Sequence, residues 1–204
     1  QAADGDARHA FAVFKVSGLS SNALLEKVGQ SLRGEAELTS EEHAAWERVQ
    51  ARVRTLCEAT HQAGGRIMVD AEESWIQDAI DAVAEDMMSD YNRDKVVVFN
   101  TVQMYRHDRL AYLKAMAART LEAGHLAGVK LVRGAYMEKE RSRAEEQGYP
   151  SPIQPDKASS DRDFDAAVDW VLDHLDQVHL VAGSHNEASN LRLCEGMAAR
   201  GMDP

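Results

Sequence analysis

The sequence predicts an α/β fold of parallel β/α units, best matched by a (β/α)8 TIM-like barrel of which this chain covers about five units. Five short runs of strand character alternate with helical periodicity, and the connections are too long for hairpins, so the crossovers are right-handed and the strands parallel. One run, Lys95-Val-Val-Val-Phe-Asn-Thr101, is apolar on both faces, as in a sheet covered by helices. No Gly-x-Gly-x-x-Gly fingerprint or phosphate-loop lysine motif follows any run, which counts against Rossmann and P-loop folds.

Residues 1–9, QAADGDARH, are small and polar and read as a frayed lead-in. Phe11-Ala-Val-Phe-Lys-Val16 is the first strand, bounded by Ser17-Gly18, and it delivers Lys15 to its end. That lysine serves either an ion pair with a neighbouring strand or a ligand. Arg33-Gly34-Glu35 is a break, and Thr39-x-x-Glu42 is a capping box opening a helix with Trp46, Val49, Val53, Leu56 and Cys57 on one face. Gly64-Gly65 ends that helix. Arg66-Ile-Met-Val-Asp70 is the second strand, and Asp70 is positioned to cap a helix beginning at Ala71, a role that leaves catalysis open.

Trp75, Ile76, Ala79, Ile80, Val83, Met87 and Met88 form a helical stripe of core type, and Tyr91-Asn92-Arg93-Asp94 leads into the third strand, which delivers Gln103. Leu110, Leu113, Ala117 and Leu121 mark the next helix, ended by Gly124. Val129, Leu131 and Val132 make the fourth strand between Gly128 and Gly134, with the cations Lys130 and Arg133 at positions that require an anion or a solvated strand end. Gly134 there would let the backbone approach a ligand closely. GYPSPIQPDKASSD, with three of the four prolines, is irregular and reads as a binding loop. Ser159, Ser160 or Asp161 is expected to cap the helix carrying Phe164, Val168, Val171 and Leu175, whose free amides suit a phosphate. His179-Leu-Val-Ala-Gly183 is the fifth strand, and a final helix runs to Arg200.

Composition bounds the chemistry. With 34 acidic against 23 basic side chains the net charge is -11, which repels nucleic acid and anionic membranes and favours a soluble protein acting on small molecules. No apolar run reaches transmembrane length, and no signal-peptide pattern is present. Peripheral membrane contact stays open. Cys57 and Cys194 lie on helix-like patterns among apolar residues, so two buried thiols are expected, with no disulfide and no metal site, in a reducing compartment.

The stretch VKLVRGAYMEKER, from Val129 to Arg141, carries a resemblance, together with FKVSGL, IMVDAEES, VVFNTVQMY and GSHNE in the same order. The sequence resembles the proline dehydrogenase family, in its eukaryotic-type branch more than its usual bacterial one. Lys130 and Arg133 stand where many bacterial relatives carry arginine and then lysine. The resemblance implies FAD-dependent oxidation of L-proline to Δ1-pyrroline-5-carboxylate, with hydride passing to flavin N5 and electrons to a quinone. It implies that Gln103 and Lys130 serve the isoalloxazine edge, and that Arg133, Gly134, Ala135, Ser184, His185 and Asn186 hold the rest of FAD, with Lys157 and Ser160 at pyrophosphate-contact positions. Tyr136 contacts both cofactor and substrate on this reading, while Lys15, Asp70 and Tyr136 line the proline pocket and Asp70 pairs with Lys15. All these groups are expected at or just after strand ends, and so to converge on one barrel face.

The resemblance further implies that residues 1–204 are one partial barrel domain, lacking the first strand and the C-terminal strands and helix of relatives. The arginine pair that grips the substrate carboxylate in that family has no counterpart here, so the segment as given is expected to bind proline poorly. Expected locations are the bacterial cytoplasm with peripheral membrane association, or the mitochondrial inner membrane or matrix. Competing readings are a 4-hydroxyproline dehydrogenase, a barrel lyase forming a Schiff base at Lys15 or Lys130, a folate-reductase-like flavoenzyme and a non-catalytic scaffold.

Overall fold

The computed structural model describes residues 11–202; the expected lead-in at 1–9 lies outside them. Five strands form one sheet in the order β1-β2-β3-β4-β5. They are β1 (Ala12–Phe14), β2 (Ile67–Val69), β3 (Val98–Gln103), β4 (Ala127–Val132) and β5 (Val178–Gly183). Strand β1 pairs parallel to β2, and β2 parallel to β3. Each strand is followed by at least one helix: α1 (Asn22–Leu32) and α2 (Ser40–Gln62), α3 (Ser74–Tyr91), α4 (Arg109–Glu122), α5 (Met137–Gln147) and α6 (Lys157–Leu172), and α7 (Glu187–Ala199). These are the five β/α units that the alternation predicts.

The chain divides into two compact units. The first runs to Asn100 and includes Gly124–Gly128; the second comprises Thr101–Ala123 and the chain from Val129 onward.

In the first unit α3 is the central helix. Ile76, Ala79, Ile80, Val83, Met87 and Met88 are fully buried, and α1 contributes Leu25 and Val28 while α2 contributes Val49, Val53 and Cys57. The methionine pair is core, as its spacing predicts. The capping box at Thr39 is complete: the Glu42 N–H donates to Thr39 Oγ1 (3.2 Å), and the Thr39 N–H donates back to the Glu42 carboxylate (2.8 Å). Asn92, fully buried, acts as a joint. Its Nδ2 donates to the carbonyls of Val98 (2.9 Å) and Leu126 (3.2 Å), and its Oδ1 accepts the N–H groups of Val97 and Val98, both at 2.9 Å. Those bonds satisfy main-chain groups just where β3 begins. Gly128 lies inside β4 rather than before it, and glycine is required there because an added Cβ would stand 2.3 Å from the Val98 carbonyl oxygen.

In the second unit Phe164, Val168, Val171 and Leu172 of α6 are buried, as are Leu113, Met116 and Ala117 of α4 and Val129 and Leu131 of β4. Several expectations are corrected here. Residues 137–147, to which the sequence pattern assigns no element, form α5, which ends at Gly148 with φ 73, and the stretch expected to be irregular is helical from Lys157 onward. The cap of α6 is Asp156, whose side chain accepts the Ser159 N–H, so Ser159 and Ser160 lie in its first turn and Asp161 just past it. Leu175 falls beyond the end of α6, and Leu121 is 56% exposed instead of facing a core. Cys194 is also exposed, on a helix α7 that buries only Ser189, while the buried Cys57 thiol is pushed up to about 12 by desolvation.

Candidate functional site

In the second unit β4 ends at Val132, but two further main-chain bonds keep the next residues in place. The Met104 N–H donates to the Val132 carbonyl (2.7 Å) and the Tyr105 N–H to the Arg133 carbonyl (2.8 Å). Arg133 therefore leaves the sheet with a fixed backbone. Its side chain is fixed as well: Nε donates to Asp161 Oδ1 (2.6 Å), Nη1 to Ser184 Oγ (2.8 Å) and Nη2 to Ser189 Oγ (2.8 Å), with the guanidinium carbon 4.4 Å from the Phe164 ring centroid. Such a fork held over an aromatic face is a role lysine cannot copy.

Asp161 is the hub of the cluster. Its Oδ2 accepts from Lys157 Nζ (2.5 Å), and Asn186 Nδ2 donates to its Oδ1 at 3.4 Å. Lys157 and then Arg133 hold the Asp161 carboxyl below the usual carboxylate range. Ser184 Oγ also accepts the Asn186 N–H (3.0 Å), and Ser189 Oγ donates to Asp165 Oδ1 (2.5 Å). Four expected cofactor residues thus share one cluster: Arg133, Lys157 and Asn186 are joined through Asp161, Ser184 joins through Arg133 and the Asn186 N–H, and Ser189 and Asp165 complete the set. Asn186 has a second task, since its side chain accepts the Ser189 N–H as the cap of α7.

The remaining expected cofactor residues are placed differently. Gln103 is the last residue of β3 and is buried, whereas Lys130 sits within β4, half-buried and two residues before its end. This corrects its expected place at the strand terminus. The Ser160 hydroxyl turns back onto the Asp156 carbonyl (3.3 Å), away from the cluster, and His185 is exposed. Gly134 and Ala135 are exposed. At Gly134, φ is 132 and an added Cβ would lie 2.4 Å from the Tyr105 ring. The ring beneath it therefore requires glycine there, whatever approaches from outside. Burial first, and then the Glu140 carboxylate, push the Tyr105 phenol well above its ordinary range. Tyr136, half-buried, is the residue preceding α5, and its carbonyl accepts the Glu140 N–H (2.9 Å).

In the first unit the last paired residues of β1 and β2 are Phe14 and Val69. Lys15 and Asp70 are the next residue on each strand, and the Asp70 N–H donates to the Phe14 carbonyl (2.9 Å). Continuing that register sets the two side by side on one face. Asp70 does not cap a helix: α3 starts at Ser74, with Glu73 at the cap position. Lys15 is exposed and lacks the apolar surround that a Schiff-base lysine needs.

The donor set of the second unit fits a phosphate-bearing cofactor. A guanidinium has five N–H groups, and three of those on Arg133 are taken by Asp161, Ser184 and Ser189, which leaves donors for an anion. Lys157 is 75% exposed and able to turn toward one. Among the described residues no group of three or more His, Cys, Asp or Glu could hold a metal ion, and no helix is long and apolar enough to cross a membrane.

Comparison with known proteins identifies the family. The family profile described as Proline dehydrogenase matches residues 5–204. The chain belongs to the proline dehydrogenase family. It is 35% identical over 180 residues to the carbapenem antibiotics biosynthesis protein CarD of Pectobacterium carotovorum, covering 88% of this chain and 46% of that protein. Against the Xenopus laevis hydroxyproline dehydrogenase it is 37% identical, covering 68% of this chain and 30% of the relative. The human mitochondrial proline dehydrogenase 1 is 32% identical, with 83% and 29% covered. The chain thus spans less than half the length of these relatives. The proline utilization A protein of Bdellovibrio bacteriovorus matches in fold, with a TM-score of 0.80 at 18% identity over 98% of this chain and 20% of that one. The fold is that of a partial TIM-like barrel.

Proposed function

We propose that the full-length protein is an FAD-dependent oxidoreductase that takes a hydride from L-proline, yields Δ1-pyrroline-5-carboxylate and passes electrons to a quinone. The observation that carries this reading is the Arg133 cluster, in which Lys157 and Asn186 meet Arg133 through the Asp161 carboxylate and Ser184 accepts from Arg133 directly. Family membership supports the substrate class, and the flavin, when bound, supplies the two-electron acceptor.

The chain's own residues bind and orient. Arg133 and Lys157 would neutralise the cofactor's pyrophosphate, with Ser184 and Asn186 as neutral donors beside them. Gln103 and Lys130 would serve the ring edge, where a fixed cation complements negative charge that develops on reduction. Lys15 and Asp70, neighbours in the first unit, would face the substrate and hold the amine carbon in line for transfer. The animal relatives named as mitochondrial favour a mitochondrial location for a eukaryotic source.

Anaerobic addition of L-proline to the full-length protein should bleach the visible flavin absorbance; a full-length protein that purifies without flavin would overturn the reading. A second reading, 4-hydroxyproline oxidation, has the Xenopus laevis relative in its favour. Comparing kcat/KM for the two substrates decides between them.

A further inference from the structure

Strands β1 and β2 are three residues each, and the groups proposed to face the substrate, Lys15 and Asp70, stand just past their last paired residues. One main-chain bond, from the Asp70 N–H to the Phe14 carbonyl, ties them at that level. Two residues further along each strand a second tie appears. Glu72 takes both donors of Ser17: Oε1 accepts the Ser17 N–H at 3.0 Å, and Oε2 accepts the Ser17 hydroxyl in a short contact. Lys15 and Asp70 are thus bracketed by cross-connections on both sides.

The residue that makes this second tie is itself fixed at its main chain. Glu72 is 4% exposed, and its N–H donates to Gln77 Oε1 (2.9 Å). Gln77 Nε2 donates to Asp81 Oδ1 (2.8 Å), which also accepts from Asn100 Nδ2 (2.8 Å). Gln77, Asp81 and Asn100 are all buried, so a chain of polar groups runs from the turn after Lys15 through α3 to β3. Burying a carboxylate is unfavourable unless donors surround it. A cap of the short turn at Val16–Gly18 would need only a side-chain acceptor on a neighbouring surface residue. An acceptor on a residue whose main chain is braced through three further buried side chains does more: it fixes where the turn sits.

We propose that Glu72 is a positioning residue, which clamps the turn behind Lys15 to the loop carrying Asp70 and thereby sets the spacing of those two groups. The proposal rests on the reading of Lys15 and Asp70 as substrate-facing groups. All the residues assigned to the cofactor lie in the second unit, whereas the clamp lies in the first. Its loss should therefore act on substrate, not on flavin content.

The test uses the full-length protein with Glu72→Ala, Glu72→Gln and Ser17→Ala. Glu72→Ala should retain normal flavin per polypeptide but lose roughly ten- to a hundredfold in kcat/KM for L-proline, the scale expected from misplacing reacting groups by about an ångström. The loss should fall mainly on KM, and amide exchange across residues 15–18 should accelerate. Glu72→Gln keeps the shape and one acceptor and should recover most of the loss; Ser17→Ala keeps the main-chain bond and should fall between. A merely structural role would lower the melting temperature and leave the KM of the folded enzyme unchanged. If Glu72→Ala does not fold, Ser17→Ala decides, since Ser17 is half-exposed. Variants with wild-type KM and wild-type exchange overturn the proposal, whereas a flavin-loaded wild type that L-proline does not reduce overturns the functional reading instead.

Discussion

The two units handle their buried polar groups in opposite ways. In the first, the amides of Asn92, Gln77 and Asn100 meet backbone groups or the Asp81 carboxylate inside the unit. In the second, the polar centre is a cation, Arg133, with donors left over after Asp161, Ser184 and Ser189 are bound. A closed amide network rigidifies, whereas a tethered guanidinium with spare donors is ready for an anion. Substitutions in the first network should therefore cost stability, and substitutions around Arg133 should cost stability and cofactor together.

The largest expected effect is at Asn92. Replacing it with alanine leaves two main-chain N–H groups and two carbonyls without their buried partner, at ~1–3 kcal/mol for each group left unpaired. Asn92→Ala should destabilise the protein by about 4 kcal/mol in urea unfolding, while the folded fraction binds flavin normally. Weakened flavin affinity in that folded fraction would break the contrast. Arg133→Met comes next, because it takes one donor each from Asp161, Ser184 and Ser189 as well as removing the proposed anion donor. It should cost about 3 kcal/mol, the scale for removing one partner of a partly buried pair. Purified Arg133→Met protein should also contain less than a tenth of the wild-type flavin per polypeptide, read by absorbance, which is at least about 1.4 kcal/mol in affinity.

Gly134→Ala should be milder, about 2 kcal/mol from the positive φ and the Tyr105 ring. The loss should shrink when Tyr105 is also replaced by leucine, in a double-mutant cycle measured by thermal unfolding. The smallest effect is the pH response of two half-buried, cation-paired carboxylates. Lys27 and then the Thr39 N–H hold Glu42 down to about 2 from an ordinary value near 4.5, and Lys157 holds Asp161 below its ordinary range. Both carboxyls are depressed in the folded state, so their contributions are present above the unfolded values and lost as pH falls through the folded ones. The melting-temperature gap between wild type and Glu42→Gln should be constant above about pH 5.5 and close toward pH 2. A gap that widens on acidification would refute the assigned sign.

Much of this was readable from residue order because the signals were local. The capping box at Thr39 needs only residues three apart, and β2 to β5 announce themselves as β-branched runs. Helix α5 was not readable from apolar spacing because MEKERSRAEEQ buries only Glu140 and Ala144, which leaves almost no apolar stripe. Asp161 and Ser189 escaped for a different reason: their partner Arg133 is 28 and 56 residues away, and nothing local distinguishes them from solvated helix residues. The one available clue was the four-residue spacing of Lys157 and Asp161. Asp70 misled because a helix start four residues later looks the same in composition as one immediately after it.

The joint at Asn92 also has a consequence in time. Its bond to the Leu126 carbonyl spans 34 residues, a segment that contains all of β3 and α4. The entropy of closing that loop must be met before the bond returns any free energy, so it forms after α3 has condensed and after the three short-range bonds to Val97 and Val98. That one bond of the four then belongs to the late side of the folding barrier, where a lost contact leaves the folding rate nearly unchanged and lets the native state open sooner. The side chain that registers two strands would be, in kinetic terms, a latch on the exit.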